Sequence, residues 1–327
     1  MKIINHRTFT TACLGAALLA AAVGTAVSPA HAQAWPPSTL MLISDSAAGA
    51  PKDVLLRQMA KALQTQNPTW RIVVDDKVGG DGAAAMSYLL SQPANGAAVL
   101  IQSASYQVAM NTSLAKLFKS SQFNIVARTD TGTFVLAVNP SLHVKTLAEL
   151  TTYAKTHKLT VTGYGQNSLE HYAMALVAKS AGFGYAWVPY NSGTQAVTAV
   201  TGGNIDAVMV DASAASQFIK VGKLNGILVT SKEPVDLMPD VPTVTSLGHP
   251  EDETHIWHVF LVKAGTPPQI EKALETALSK MPQNAEFSAF LKSAGVEWSF
   301  APGAEFAPKV QEEMNKIAGS LDMLKAK

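Results

Sequence analysis

Met238-Pro239-Asp240-Val241-Pro242-Thr243-Val244 is the stretch that decides the fold of this chain, because of what precedes it. The apolar segment 226–230 just upstream has the composition of a buried strand. Earlier lie Val188-Pro189-Tyr190-Asn191-Ser192-Gly193 and Gly202-Gly203-Asn204-Ile205-Asp206, which contain the proline, glycine and asparagine residues that end regular elements. Short strands, turns and helical runs therefore follow one another in quick succession.

Apolar runs of strand length alternate with amphipathic segments along most of the chain. Strands are predicted at 39–43, 70–74, 97–102, 134–138, 160–162, 186–189, 207–210, 226–229 and 257–262. Helices are predicted at 54–66, 83–90, 147–157, 169–181, 193–200, 214–221, 267–280 and 304–321. This alternation indicates an α/β fold with mostly parallel sheets and helices on both faces.

The order and spacing of these stretches resemble the receptors of tripartite tricarboxylate transporters, the Bug-type periplasmic solute-binding proteins. The resemblance implies two doubly wound α/β domains joined by a two-crossing hinge, a fold like that of type II periplasmic binding proteins. We place domain 1 at 33–138 plus 256–327 and domain 2 at 139–255, with crossings near Asn139 and His255. Pro140 and the loop 248–253 are compatible hinges.

The first 32 residues are predicted to be a secretory signal peptide. Lys2 and Arg7 precede an apolar run at 12–27, and Ala30-His31-Ala32 fits a cleavage site. An uncleaved anchor helix is the alternative. The only cysteine, Cys13, lies in this segment, so the mature chain has no disulfide, thiol nucleophile or cysteine-bound metal. These features predict export to the periplasm.

Composition excludes several partners. The chain has 25 basic and 24 acidic residues and no basic run, which argues against nucleic acid and anionic membranes. A hydrophobic content of 47% indicates a well-filled globular core.

Four loops follow predicted strands, where α/β proteins bind ligands and where helix N-termini favour anions. No arginine lies in them, so we expect a carboxylate to be held by backbone N–H, hydroxyl and amide groups. Ordinary strand-to-helix turns are the alternative interpretation. The candidate ligand-binding residues are Ser46, Ala47, Ala48, Gly49, Ser103, Ser105, Tyr164, Gly165, Asn167, Ser168, His171, Tyr190, Asn191 and Asp211.

Some of these loops depart from the family pattern. Asp45 and Ser46 stand where the family has Pro-Phe, and Lys52 stands where it has Thr. Asp45 is expected either to pair with a ligand amino group or to cap the turn, and Lys52 is expected in solvent rather than on a carboxylate. Tyr164 replaces a small residue, whereas His171 matches the family histidine. Tyrosines near three loops, at 106, 164 and 190, make an aromatic acid a candidate ligand, with buried structural tyrosines as the alternative.

An enzyme is disfavoured because the chain has no Gly-x-Ser-x-Gly or Walker A motif, and Ser168 and His171 are only three residues apart. A metal receptor would use the residues His249, Glu251, Asp252, Glu253, His255 and His258. However, His255 and His258 should face opposite sides of a strand, so a polar hinge loop is favoured. A periplasmic receptor of another transporter class remains a third alternative.

The predicted function is that of a monomeric periplasmic receptor without cofactor. It would capture a small di- or tricarboxylate or an aromatic acid in an interdomain cleft. Its partners would be the membrane permease subunits of a tripartite transporter or a sensor protein. A receptor for an amine-bearing acid, recognised through Asp45, is the alternative, and a cleft hydrolase is a distant one.

Overall fold

The computed structural model describes Trp35 and residues 39–325. The predicted signal peptide, with Cys13, lies outside the described residues. The strands are β1 (Leu40–Ser44), β2 (Ile72–Asp76), β3 (Ala98–Ser103), β4 (Phe123–Val138), β5 (Thr160–Tyr164), β6 (Ala186–Tyr190), β7 (Ala207–Asp211), β8 (Asn225–Val229), β9 (His255–Lys263) and β10 (Glu297–Pro302). The helices are α1 (Pro51–Gln66), α2 (Ala83–Ser91), α3 (Tyr106–Asn111), α4 (Leu147–Thr156), α5 (Leu169–Ala181), α6 (Gly193–Thr201), α7 (Ala212–Lys220), α8 (Pro268–Ser279), α9 (Ala285–Ala294) and α10 (Gly303–Ala318).

Strand β4 belongs to two sheets. Its first part, 123–133, pairs with β9 on one edge and with β10 on the other. Its last part, 134–138, pairs with β7 and β8. One sheet therefore has the order β2-β1-β3-β9-β4-β10 and the other the order β8-β4-β7-β5-β6. The partners of β4 change between Thr133 and Phe134, before Asn139; the predicted division into domains stays a prediction.

The expectation of mostly parallel sheets is wrong. Strands β1, β2 and β3 are parallel, as are β5, β6 and β7, but every pair that includes β4 or β9 is antiparallel. The reason is topological: β4 carries the chain into the second sheet and β9 carries it back, so the two run in opposite directions.

The sequence analysis missed the first part of β4 and also β10, α3 and α9. Register shifts interrupt the β4–β9 pairing between Ile125 and Ala127 and again between Arg128 and Asp130. Such bulges break the alternation of apolar and polar residues by which a strand is identified. In addition, Thr129 and Asp130 are polar and yet buried, which no local pattern indicates.

Helices cover both faces of each sheet. In the first sheet, α1, α8 and α9 pack on one face, and α2, α3 and α10 on the other. In the second, α6 and α7 pack opposite α4 and α5. Helix α1 shows why: its buried residues fall on one side of the helix, and Pro51 starts it where no N–H partner is required. The buried residues of α1 are Asp53, Leu55, Leu56, Met59, Ala62 and Leu63.

The stretch that opened the sequence analysis extends the second sheet. The Val229 N–H donates to the carbonyl of Pro242 at 2.9 Å, and the Val244 N–H donates to the carbonyl of Val229 at 2.9 Å. Val229 and Thr243 thereby form a parallel bridge at the edge of β8. The stretch thus serves the fold and lies away from the predicted ligand loops.

Thr230 links the two chain crossings. Its hydroxyl donates to the Thr254 carbonyl at 2.6 Å and accepts the Phe134 N–H at 3.1 Å, while its own N–H donates to the Phe134 carbonyl at 3.0 Å. All three residues are buried. Because Phe134 belongs to β4 and Thr254 directly precedes β9, one side chain joins the outgoing and returning strands.

Replacing Thr230 with Val should lower the free energy of unfolding by about 1–3 kcal/mol, because Val keeps the shape but leaves buried hydrogen-bonding groups unpaired. Thr230→Ser keeps the hydroxyl and should recover most of the loss. Urea denaturation of both variants measures the difference. Equal stability of the Val variant and the unaltered protein would show that this hydroxyl does not fasten the crossings.

Candidate functional site

Five parallel strands end at loops that lead directly into helices. In the first sheet β1 ends at Ser44 and β3 at Ser103; in the second, β5, β6 and β7 end at Tyr164, Tyr190 and Asp211. The helices that follow are α1, α3, α5, α6 and α7. The two groups of loops meet: the Leu169 N–H, at the start of α5, lies 3.4 Å from the Ser105 hydroxyl oxygen. The four predicted loops thus lie where strand ends of both sheets come together.

An ion-pair network around the buried Asp53 holds the first loop. The Gly49 N–H donates to an Asp53 carboxylate oxygen at 2.7 Å, and Gly49 has a φ of 80°, which suits glycine. Arg57 lies 2.9 Å from Asp53 and 2.7 Å from Asp76. Burial alone would raise the pKa of Asp53, but Arg57 and the Gly49 N–H outweigh it and lower the pKa. Helix α1 follows Ala50 without a side-chain cap, and because Pro51 has no N–H, the N–H groups available at the helix start are those of Lys52 and Asp53.

Lys52 forms an ion pair with Asp45, and both side chains are mostly buried, at 14% and 13% exposure. The expectation that Lys52 lies in solvent is therefore wrong. No local pattern indicated this pair, which forms because Lys52 turns back from the first turn of α1 over the end of β1. Asp45 also lies next to Gln102: a side chain at Gly82 would meet the Gln102 amide nitrogen at 3.0 Å and an Asp45 carboxylate oxygen at 3.1 Å.

Backbone hydrogen bonds join the third and fourth loops. The Gly165 N–H donates to the Tyr190 carbonyl at 2.9 Å, and the Trp187 indole N–H donates to the Gly165 carbonyl at 2.9 Å. Gly165 and Asn167 have φ values of 57° and 56°, a region that glycine and asparagine tolerate best. At Gly163 a side chain would collide with the Met209 carbonyl at 2.5 Å. This close packing fixes the path of both loops.

His171 lies behind the third loop. Its ring is 2% exposed, stacks on Trp187 at 4.6 Å and meets Tyr185 edge-on at 6.2 Å. Burial lowers its pKa to about 4, so the ring is neutral at pH 7, and Nδ1 accepts the Asn167 N–H at 3.4 Å. The structure thus places His171 as a support for the loop; a direct contact with ligand stays a prediction.

Tyr164 reaches from the second sheet toward the first. Burial and, to a smaller extent, the charges of Asp45, Glu170 and Asp81 raise the pKa of its hydroxyl to about 12. The side chain as a whole is nevertheless 42% exposed. We therefore take the ring edge to be open to solvent and the hydroxyl to lie among the carboxylates. Tyr106, by contrast, is core: it is buried and packs edge-on against Trp257 at 6.0 Å.

Glu170, the second residue of α5, is a site residue that the sequence analysis missed. Its Oε2 atom is buried without a hydrogen-bond partner, although the residue keeps some exposed surface. Burial raises its pKa to about 7, with the Ser168 hydroxyl and the residue's own N–H acting in the opposite direction. The Asp211 charge contributes to the raised pKa and the Lys52 charge opposes it, so both groups lie close by.

Asp211 and His258 lie where the two sheets meet. Asp211 accepts the Ser213 N–H at 2.8 Å and caps α7, and burial raises its pKa, with His258 lowering and Asp130 raising it. The His258 ring bonds the buried Asp130 through Nδ1 at 2.7 Å. His258 is also the register partner of Ser103 in β3, so the predicted Ser103 and the unpredicted His258 are neighbours.

The histidines of the predicted hinge loop have separate partners. His255 contacts Glu253 at 2.8 Å, and His258 points to Asp130. Over residues 39–325, no three His, Cys, Asp or Glu side chains come together as metal ligands would. Nor does any helix in that part of the chain have the length and apolar character to cross a membrane.

A surface depression of about 460 Å³ lies elsewhere. It adjoins Asn139, whose N–H bonds the carbonyl of Asp206 just before β7 begins. It therefore lies at the opposite end of β7 from Asp211, away from the strand ends where α/β proteins bind ligands, and we do not regard it as the site. Its lining is Asn139, Pro140, Thr198, Thr201, Gly202, Phe218 and Lys223.

The fold is that of a mixed α/β binding protein of the type II periplasmic class, as the sequence predicted. The chain belongs to the tripartite tricarboxylate transporter family of receptors, whose family model matches residues 55–323.

Named relatives and solved structures agree with this family. Protein BugT of Bordetella pertussis is 24% identical over 89% of this chain and 91% of that protein. Rpa4515 of Rhodopseudomonas palustris, solved with adipate, superimposes with a TM-score of 0.77 at 22% identity, covering 87% and 98% of the two chains. MatC of the same organism, solved with malate, gives 0.75 at 21% identity, covering 88% and 98%.

Glu170→Gln should stabilise the protein at neutral and alkaline pH. The folded-state pKa of about 7 exceeds the ordinary value of 4.5, so the folded state binds this proton more tightly than the unfolded chain does. The stabilisation that this proton contributes is complete below pH 4.5 and is lost as the pH rises through 7. Glutamine avoids the loss, so the variant should gain about 1–3 kcal/mol at about pH 8 and little at about pH 4.5.

Urea denaturation at the two pH values measures this difference. Glu305→Gln is the matched control, because Glu305 is an exposed acid in the first turn of α10 and should change stability little at either pH. The same small effect of Glu170→Gln at both pH values would contradict a buried, unpaired carboxylate.

Proposed function

We propose that this protein is a periplasmic receptor that captures a small carboxylic acid where the loops of its two sheets meet. It then presents the acid, unchanged, to the permease subunits of a tripartite transporter. The observation that carries the proposal is the meeting of five strand ends, each followed by a helix N-terminus, at one place in the fold.

The ligand carboxylate would be held by backbone groups. The N–H groups of Ala47 and Ala48 make no backbone hydrogen bond in the described chain, and α1 begins beside them without a side-chain cap. Partial positive charge at the helix N-terminus favours an anion there. Lys52 adds positive charge nearby, although Asp45 neutralises part of it. The ligands of two structural neighbours, malate and adipate, are small carboxylates and support this chemistry.

The site supports binding better than hydrolysis. The Ser168 hydroxyl accepts the backbone N–H of His171 at 3.2 Å and so caps α5. The His171 ring is stacked on Trp187 and its Nδ1 accepts from Asn167, so it makes no hydrogen bond to the Ser168 hydroxyl. Among the described residues, these contacts leave the two side chains in structural roles. Family members and structural neighbours are likewise solute receptors.

A panel of small carboxylic acids should contain at least one that raises the melting temperature of the purified protein. A ligand that binds only the native state at about one hundred times its Kd adds about 2.7 kcal/mol of stability. Mass spectrometry after prolonged incubation with stoichiometric protein should recover the acid unchanged. Multiple turnovers to a new product would contradict the receptor function, as would a panel in which nothing binds.

Trp187 should report ligand binding through its fluorescence, because its indole donates to the Gly165 carbonyl in the third loop and stacks on His171. Trp257 is buried between Tyr106 and Phe306 and should contribute little change. Trp187→Phe should therefore remove most of the ligand-induced signal, whereas Trp257→Phe should keep it. The opposite result would place the ligand-sensitive region away from the third loop.

A further inference from the structure

We infer that the acid bound by this receptor also carries a protonated nitrogen, and that Glu170 binds that cation. The inference rests on the proposed function and narrows its ligand class from small carboxylates in general to those that bear a basic nitrogen.

One oxygen of the Glu170 carboxylate is unpaired, although the Ser168 hydroxyl and the residue's own N–H interact with the carboxylate. The Oε2 atom of Glu170 is buried and accepts no hydrogen bond within the described chain. Burying an ionised oxygen without a donor is costly, and most buried polar atoms in native proteins have a partner. A ligand N–H group would satisfy this oxygen, whereas a ligand carboxylate would repel it.

Two neighbouring donors, the Lys52 ammonium group and the Ser213 N–H, already bind other carboxylates. Lys52, whose charge lowers the pKa of Glu170, is paired with Asp45. The Ser213 N–H serves Asp211. Asp45 is therefore not the free partner for an amino group that the sequence suggested, and the role passes to Glu170.

Negative charge is in excess around Glu170. Three carboxylates, those of Asp45, Glu170 and Asp211, share their surroundings with one ammonium group, that of Lys52. A plain dicarboxylate would add two negative charges to this excess. A ligand with one carboxylate and one ammonium group adds none, so its carboxylate is free to bind the helix N-termini while its cation offsets the acids.

The stability of the fold and the binding of a cation favour different residues at position 170. Glutamine at this position would keep the shape and hydrogen-bonding capacity without a buried charge. This chain has a glutamate instead, whose burial raises its pKa to about 7. A stability loss at one residue of a binding site is expected when that residue's charge serves the ligand.

The test uses matched pairs of acids that differ by an amino group: aspartate with succinate, glutamate with glutarate, and phenylalanine with 3-phenylpropanoate. Calorimetric titration of the full mature protein at about pH 8 should show tighter binding of the amino member in at least one pair. Glu170→Gln should weaken the binding of that amino acid by about tenfold to a hundredfold, because a charge-assisted hydrogen bond is lost. The same substitution should change the affinity for the amine-free acid of the pair by less than about threefold.

Affinity for the amino acid should also fall as the pH drops from about 8 to about 6, because protonation removes the charge of Glu170. The charged or titratable groups around Glu170 are Asp211, Tyr164 and the ion pair of Lys52 with Asp45, and of these the raised pKa of Tyr164 keeps it neutral throughout. Glu170→Gln should flatten the profile if Glu170 is responsible, and Glu305→Gln should leave it unchanged.

Two results would overturn the inference and leave the proposed function standing. One is binding of the amine-free acids only. The other is equal affinity of Glu170→Gln and the unaltered protein for the amino acid. Failure of every acid to bind would contradict the proposed function itself, and the inference with it.

Discussion

The pairing of one long strand in two sheets is the constraint on which the rest of this structure depends. Because β4 leaves one sheet and enters the other without a break, the two sheets are fixed to each other at Thr133 and Phe134. Thr230 then ties that crossing to the returning strand. The consequence is that the carboxyl ends of β1, β3, β5, β6 and β7 bring their loops to one place.

The site shows two kinds of polar group with opposite energetic roles. Asp53 and His171 are buried but satisfied: Asp53 by Arg57 and a backbone N–H, His171 by aromatic stacking and the Asn167 N–H. They hold the first and third loops in position. One carboxylate oxygen of Glu170 is buried without a donor, which costs stability in the absence of a positive partner. Rigid support and one unsatisfied charge together favour recognition of a specific ligand.

The sequence predicted what local pattern determines. Apolar runs marked nine of the strands at least in part, and small or polar residues after them marked the ligand loops. What it missed depends on tertiary contacts. In the bulged, polar part of β4, Asp130 pairs with His258 of β9, a contact that no local pattern indicates. The burial of Lys52 and the unpaired state of Glu170 arise only when α1, α5 and β7 come together.

Hydrogen exchange with the acid that stabilises the protein tests the central claim most directly, namely that loops from both sheets form one site. The account predicts that ligand slows exchange together at 44–50 and 103–106 in the first sheet and at 163–170 and 190–193 in the second. Protection confined to one sheet, or centred on the surface depression beside Asn139, would contradict it.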